Sequence, residues 1–186
     1  MNISDAVRAR RSIKEFTARP VGRDQIEQML DAAVQAPNHR MTEPWRFYVL
    51  GAEARRAYGA ALGARKAKKV EDPAAAADVI RKLEEKHAAL PAMLAVSVVL
   101  AEDAEVRDED IAATYMAIEN LMLVAPSLGL GTHLKTGAVM NDPKARAAVG
   151  VPDGERILAI LEVGEPVAQP SPKPRKPASA MTRWVP

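Results

Sequence analysis

Near its start the chain reads Ala36-Pro37-Asn38-His39-Arg40-Met41-Thr42-Glu43-Pro44-Trp45, a polar loop between a helical pattern and a strand pattern. Pro37 lacks a backbone N–H, so the preceding helix should end at or before residue 36. After Pro44, residues 45–50 are aromatic and β-branched, which predicts a strand. A loop fixed between two rigid elements is a common place for binding groups.

A second polar cluster, Arg10-Arg11-Ser12, follows a short helical segment. Two guanidinium groups and a hydroxyl can bind a phosphate, because they offer several donors to one anion. Alternatively, the arginines are solvated residues that interact with the dipole at a helix end. Taken alone, the motif favours the second interpretation.

Outward from the loop, hydrophobic spacing and proline positions predict the other elements. They are a short helix before residue 10, helices at about 23–36, 52–69, 73–89, 108–125 and 142–149, and strands at 45–50, 93–100, 132–136 and 156–163. The apolar run 93–100 indicates a strand covered on both faces. Helices interleaved with about four strands predict an α+β fold, an α/β/α sandwich, in one domain spanning residues 1–186.

Composition narrows the classes of function. The net charge of +2 offers no bulk electrostatic basis for binding nucleic acid. The absence of cysteine excludes thiolate catalysis and disulfides and fits a cytoplasmic location. The longest apolar stretch, residues 93–101, is too short to span a bilayer, and residues 1–12 lack the apolar core of a signal peptide, so no membrane association is expected.

Several single residues carry weaker expectations. Gly129-Leu130-Gly131 should close a turn, and Leu134 stands where a GxGxxG motif needs glycine, so a Rossmann dinucleotide site is unsupported. His87 is expected at the surface and His133 in a buried structural position. No histidine or carboxylate spacing predicts a metal site.

The C-terminal segment, residues 165–186, is rich in proline and should form an extension that packs on something else. Trp184 near its end is expected to be a docked anchor, because an unattached tail has little use for tryptophan.

Considered together, the motifs resemble the FMN-dependent nitroreductase family, particularly its short members. The resemblance follows the order of the chain through Arg10-Arg11-Ser12, Phe16, residues 36–40 and 43–47, Gly129-Leu130-Gly131, Lys135-Thr136-Gly137 and residues 161–166. One position departs from the pattern: many members carry glutamine before the Pro-Trp pair, where this chain has Glu43.

This resemblance implies a mixed, mainly antiparallel sheet flanked by helices, and a homodimer that binds FMN at its interface and exchanges the C-terminal extensions. It also implies NAD(P)H as electron donor, a small-molecule acceptor and no dedicated catalytic acid or nucleophile. The implied FMN-binding residues are Arg10, Arg11 and Ser12 at the phosphate, Asn38 and His39 against the flavin, Leu134, Lys135, Thr136 and Gly137 beside the ring, and Lys173 and Arg175 at the phosphate.

The leading hypothesis is therefore a flavin oxidoreductase that reduces nitroaromatics, quinones or similar acceptors by ping-pong hydride transfer. The alternatives are a related flavoprotein that catalyses dehalogenation or enal reduction, and a non-catalytic flavin carrier. For Lys135 two arrangements remain open: its ammonium lies near the flavin, or it points to solvent and only the backbone contacts the ring.

Overall fold

The computed structural model describes residues 2–186, and its elements follow the predicted order. The helices are α1 (Ile3–Ala9), α2 (Arg23–Ala33), α3 (Ala52–Ala67), α4 (Pro73–Ala88), α5 (Ala104–Val124) and α6 (Pro143–Val149). The strands are β1 (Trp45–Val49), β2 (Ala92–Val99), β3 (Gly131–Lys135) and β4 (Glu155–Gly164). Helix α5 begins earlier than predicted because Asp103 caps it, accepting a hydrogen bond from the backbone N–H of Val106.

The four strands form one antiparallel sheet in the order β1-β2-β4-β3. An isolated parallel bridge joins Ser12 to Thr132 at the outer edge of β3. Helices α2 and α5 cover one face, and α3, α4 and α6 pack on the other. The α+β sandwich predicted from the sequence is therefore confirmed.

The hydrophobic core has two parts, one on each face of the sheet, and strand β2 contributes to both. Its side chains from Ala92 to Val98 are all buried, as the unbroken apolar run predicts. Leu94 and Val96 belong to the core under α2 and α5, and Met93 and Ala95 to the core under α3 and α6. Successive residues of a strand point to opposite faces, so the central sheet contributes to both cores.

Two glycines let the N-terminal segment cross close to the sheet. Gly131 and Gly164 are partners in the register of β3 and β4. A Cβ atom on Gly131 would lie 2.4 Å from Cγ1 of Ile13, and one on Gly164 would lie 3.0 Å from the side chain of Phe16. This close approach places residues 12–16 beside the start of β3 and the end of β4.

Residues 104–128, helix α5 with the short 3-10 turn that follows it, are long and apolar enough to cross a membrane by length and composition alone. The core helix of a globular protein meets the same criterion. In this fold α5 packs against α2 and β2. The shorter apolar run at 93–101 lies mainly in strand β2.

The C-terminal extension leaves the sheet at Pro166, and its residues from Val167 onward are exposed. The Gln169 side-chain amide donates to the carbonyl of Ala9 over 3.2 Å. Further along, Trp184 is 91% exposed and Met181 is 73% exposed. The expected docking of Trp184 therefore does not occur within a single chain.

Candidate functional site

A cavity of about 980 Å³ lies between residues 7–15 and the start of the C-terminal extension, residues 168–175. We call it the basic cavity. Its lining side chains include six cations, Arg8, Arg10, Arg11, Lys14, Lys173 and Arg175, against a single carboxylate, Glu15. The wall thus carries more positive charge than the whole chain, whose net charge is +2, so the rest of the chain is net negative.

Most of these cations have no partner of opposite charge. Arg10 lies 3.7 Å from Glu119 of α5, measured between Nε and Oε1. Within residues 2–186, no carboxylate oxygen comes within 4.0 Å of a charged nitrogen of the other five. Concentrated, unpaired positive charge in a concave surface attracts anions.

Arg11 adds a more specific indication of a ligand. Its Nη1 donates to the carbonyls of Arg8 and Arg10. Its Nε is buried without a hydrogen-bond partner, and such an unsatisfied donor costs free energy. A phosphate group in the basic cavity would accept hydrogen bonds from these cations and offset their charge. The volume of the cavity lies in the range of ordinary cofactor sites. The residues present therefore fit the phosphate end of FMN.

The structure thus brings together Arg10, Arg11, Ser12, Lys173 and Arg175, the five residues that the sequence assigned to the phosphate. Arg8 and Lys14 line the same cavity but were not predicted. Lys14 could have been found, because it stands two residues after Ser12 in an extended segment and so points to the same side.

The start of β3 lies beside this cavity wall, since Ser12 bridges to Thr132, and residues 134–137 follow at the other end of the strand. Leu134 is partly buried against the α2–α5 core. Thr136 and Gly137 follow the strand and are exposed, and Gly137 has φ 127°, which favours glycine. None of these residues, which lie on β3 or directly after it, lines the basic cavity.

The side chain of Lys135 does not point to solvent, which was one of the two arrangements expected from the sequence. Its ammonium contacts the carboxylate of Glu162 on the adjacent strand β4. His133 bonds to the same carboxylate, with 3.2 Å between Nδ1 and Oε2, and its side chain is 21% exposed. The sequence predicts a buried His133, and the structure shows it partly buried.

His87 corrects another expectation, because it is buried and not at the surface. It is 1% exposed, its Nδ1 lies 2.7 Å from the carbonyl of Leu83, and its Nε2 lies 3.9 Å from Glu162. Burial lowers the pKa of His87. The prediction was wrong because His87 lies on the face of α4 turned to the sheet, beside Tyr58 of α3.

The polar loop at residues 38–44 has a strained backbone held by side chains. Arg40, Met41 and Glu43 have φ values of 65°, 50° and 45°, a region that non-glycine residues rarely adopt. The Asn38 Oδ1 accepts from the backbone N–H of Glu43 over 2.7 Å, and Thr42 donates to the buried Asp110 of α5. Such strain is often found at functional sites.

His39 and Arg40 attach this loop to the N-terminal half of α5. Nδ1 of His39 lies 3.0 Å from Glu109, and Nε of Arg40 lies 3.2 Å from the same carboxylate. The hydrogen bond from His39 is the main cause of a lowered pKa at Glu109. Glu119, which pairs with Arg10 at the basic cavity, is about 15 Å from Glu109 along the helix. The loop therefore does not reach the basic cavity of its own chain.

Comparison with known proteins adds an independent observation. Residues 7–165 match the model of the "Nitroreductase family". The "Putative NAD(P)H nitroreductase YfhC" of Bacillus subtilis (strain 168) is 36% identical over 175 residues, covering 94% of this chain and 90% of that protein. YdjA of Escherichia coli (strain K12), which bears the same description, is 30% identical and covers 79% and 78%.

Solved structures show the same fold. A nitroreductase-like family protein from Bacillus cereus superposes with a TM-score of 0.86 at 28% identity, covering 100% of this chain and 96% of that one. The FMN and NADPH-dependent nitroreductase NfnB from Sphigopyxis sp. strain HMH gives a TM-score of 0.81 at 20% identity over the full length of both chains. The second likeness concerns the fold alone.

Proposed function

The chain belongs to the Nitroreductase family, and from this membership we propose that it is an NAD(P)H-dependent oxidoreductase that binds FMN and reduces nitroaromatic, quinone or related small molecules. The basic cavity is the observation that carries the proposal. It combines a volume suited to a cofactor with six cations and an unpartnered guanidinium N–H.

The phosphate end of FMN is assigned to the basic cavity. Arg10 and Arg11 would supply charge-assisted hydrogen bonds, Ser12 a hydroxyl donor, and Lys173 and Arg175 two further charges from the opposite wall. The cavity lies between the N-terminal segment and the C-terminal extension, so cofactor binding would hold the extension to the body.

The ring of FMN is assigned to the end of β3, where residues 134–137 follow the Ser12–Thr132 bridge. When bound here, FMN would supply the chemistry of hydride transfer between NAD(P)H and the acceptor. The chain's own task is to bind and orient, and the exposed backbone at Thr136 and Gly137 can donate hydrogen bonds there.

We assign Asn38 and His39 to the cofactor site of a second copy of the chain. Within one chain their loop lies against Glu109, away from the basic cavity, so a homodimer is the arrangement in which the loop can contribute. The exposed Trp184 and Val185 support an extension that packs on a partner. A cytoplasmic location belongs to the same proposal and is supported by the absence of cysteine.

An acceptor screen tests the reaction. The purified protein, supplied with FMN, is assayed for NADH and NADPH consumption with nitrobenzene derivatives, quinones, halogenated phenols and unsaturated aldehydes as separate acceptors. Acceptor-dependent turnover with nitroaromatics or quinones is expected. Turnover only with halogenated phenols or enals would assign the alternative acceptor class, and no turnover with any acceptor, despite bound FMN, would favour a flavin carrier.

A further inference from the structure

Glu162 is a charged side chain near the C-terminal end of the apolar strand β4, and it is 2% exposed. Its neighbours Leu161 and Val163 belong to the core under α2 and α5, so Glu162 points to the opposite face, toward α3 and α4. The proposed binding of FMN does not itself require this carboxylate. A buried carboxylate is costly unless it is paired, so its partners indicate its role.

The partners come from two elements, β3 and α4. On β3, His133 stands opposite Glu162 in the register, and Lys135 lies two residues further along on the same face. Lys135 contacts Oε1 of the carboxylate and His133 contacts Oε2. On the helical side, His87 of α4 has its Nε2 3.9 Å from Oε1, and Tyr58 of α3 lies against the His87 ring.

The position of the Lys135 ammonium is the unusual feature. A lysine at the end of an edge strand ordinarily extends into water. Here only 26% of the Lys135 side chain is exposed, because it turns inward to reach Glu162. The pair is neutral as a unit, so the carboxylate offsets most of the electric field that the ammonium would exert nearby.

On the basis of the proposed function, we propose that Glu162 is a positioning residue that holds the Lys135 ammonium on the α3–α4 side of the sheet. Residues 135–137 then present backbone groups, and not an uncompensated positive charge, to the flavin. The consequence is electrostatic: a free ammonium beside the ring would stabilise reduced FMN, and the pair with Glu162 prevents this. Glu162 therefore keeps the reduction potential of the flavin low.

Midpoint potentials of bound FMN test this inference in three variants. Glu162→Gln should favour reduced over oxidised FMN by about tenfold, which for two electrons is a rise of about 30 mV. The double variant Glu162→Gln/Lys135→Met should return to the wild-type potential, because the ammonium that caused the rise is gone. Glu155→Gln, which removes a carboxylate from the far end of the same strand, is the matched control and should leave the potential unchanged.

Two results would overturn the proposal. One is an unchanged potential in Glu162→Gln with FMN still bound. The other is an equal rise in Glu162→Gln and in the double variant, because a general disturbance of β4 would not depend on Lys135.

Chemical labelling of the amine gives a second test that does not need flavin. The full-length wild-type protein without FMN is treated briefly with an acetylating reagent, and modification is read by peptide mass spectrometry. Lys135 should react at least tenfold more slowly than the exposed Lys66, and this protection should be lost in Glu162→Gln. Equal reactivity of Lys135 and Lys66 in the wild-type protein would show that the ammonium is not held.

The two tests separate this inference from the proposed function. A wild-type protein that binds no FMN contradicts the proposed function and with it the flavin part of the inference, whereas the labelling result still decides whether Glu162 holds Lys135. A protein that binds FMN but shows no Lys135-dependent change of potential contradicts the inference alone.

Discussion

Arg10 is the residue on which the assignment of the phosphate depends most directly. Arg10→Ala should weaken FMN binding by about 1.5–3 kcal/mol, roughly ten- to a hundredfold, since it removes a charge-assisted hydrogen bond. Folding should change much less, because its one ion pair, to Glu119, is partly exposed. FMN titrations monitored by flavin fluorescence, together with urea unfolding, measure both effects.

Arg23→Ala is the matched control, because Arg23 is an exposed helix residue paired only with Glu27. It should bind FMN as tightly as the wild type. Unchanged affinity in Arg10→Ala would favour the alternative interpretation of Arg10-Arg11-Ser12, in which the arginines only interact with the end of α1.

The single residues also show what the sequence could and could not indicate. Arg10, Arg11 and Ser12 form a contiguous motif, so their common location was predictable. His87 and Glu162 lie 75 positions apart, and their contact depends on how α4 packs on β4. Yet one signal was present: Glu162 interrupts the apolar run 157–163, and a charge within a buried strand requires a partner.

Among the elements, β3 and the N-terminal segment depend on close packing at Gly131. Gly131→Ala should destabilise the protein by about 1–3 kcal/mol, because the new methyl group would overlap the side chain of Ile13. It should also weaken FMN binding, since Ile13 adjoins Ser12. Gly51→Ala is the control, because a Cβ at Gly51 would meet nothing within 4 Å. Equal stability of the two variants would contradict this packing argument.

The attachment of the polar loop to α5 predicts that the stability of the fold depends on pH. The pKa of Glu109 is lowered from 4.5 by His39 and Arg40, so ionised Glu109 stabilises the fold above pH 4.5, and this contribution is lost as the pH falls through the lowered pKa. Glu109→Gln should therefore be less stable than the wild type at pH 7, with a difference that shrinks under acid. Urea unfolding across this range measures it.

Glu71→Gln serves as the control for this experiment, because Glu71 is exposed and lies in the loop between α3 and α4. Its stability should follow that of the wild type at each pH. A difference between Glu109→Gln and the wild type that persists unchanged at low pH would show that the Glu109 charge is not responsible.

The order of the elements followed from local signals, chiefly prolines, caps and hydrophobic periodicity. Pro73 and Asp72 start α4, and Gly150 in a left-handed conformation ends α6. The conformation of the polar loop was not predictable, because three non-glycine residues adopt positive φ only with support from Asn38 and α5. That support exists only once the tertiary structure has formed.

At the scale of the whole molecule, the proposed homodimer is the arrangement that completes the site. We expect light scattering at low micromolar concentration to give twice the chain mass of 20.1 kDa. Obligate homodimer interfaces commonly bury more than roughly 2,000 Å², and such dimers often have no stable folded monomer. A folded monomer that still binds FMN would contradict both the dimer and the assignment of Asn38 and His39 to a second copy.

The central claim, that this chain binds FMN and uses it to accept electrons from NAD(P)H, is tested most directly by the visible spectrum of the purified protein. We predict a yellow protein whose flavin absorption band disappears when NADH or NADPH is added without oxygen and returns when an acceptor follows. A protein that shows no flavin band after incubation with FMN and removal of the excess, or a bound flavin that neither NADH nor NADPH bleaches, would contradict the account.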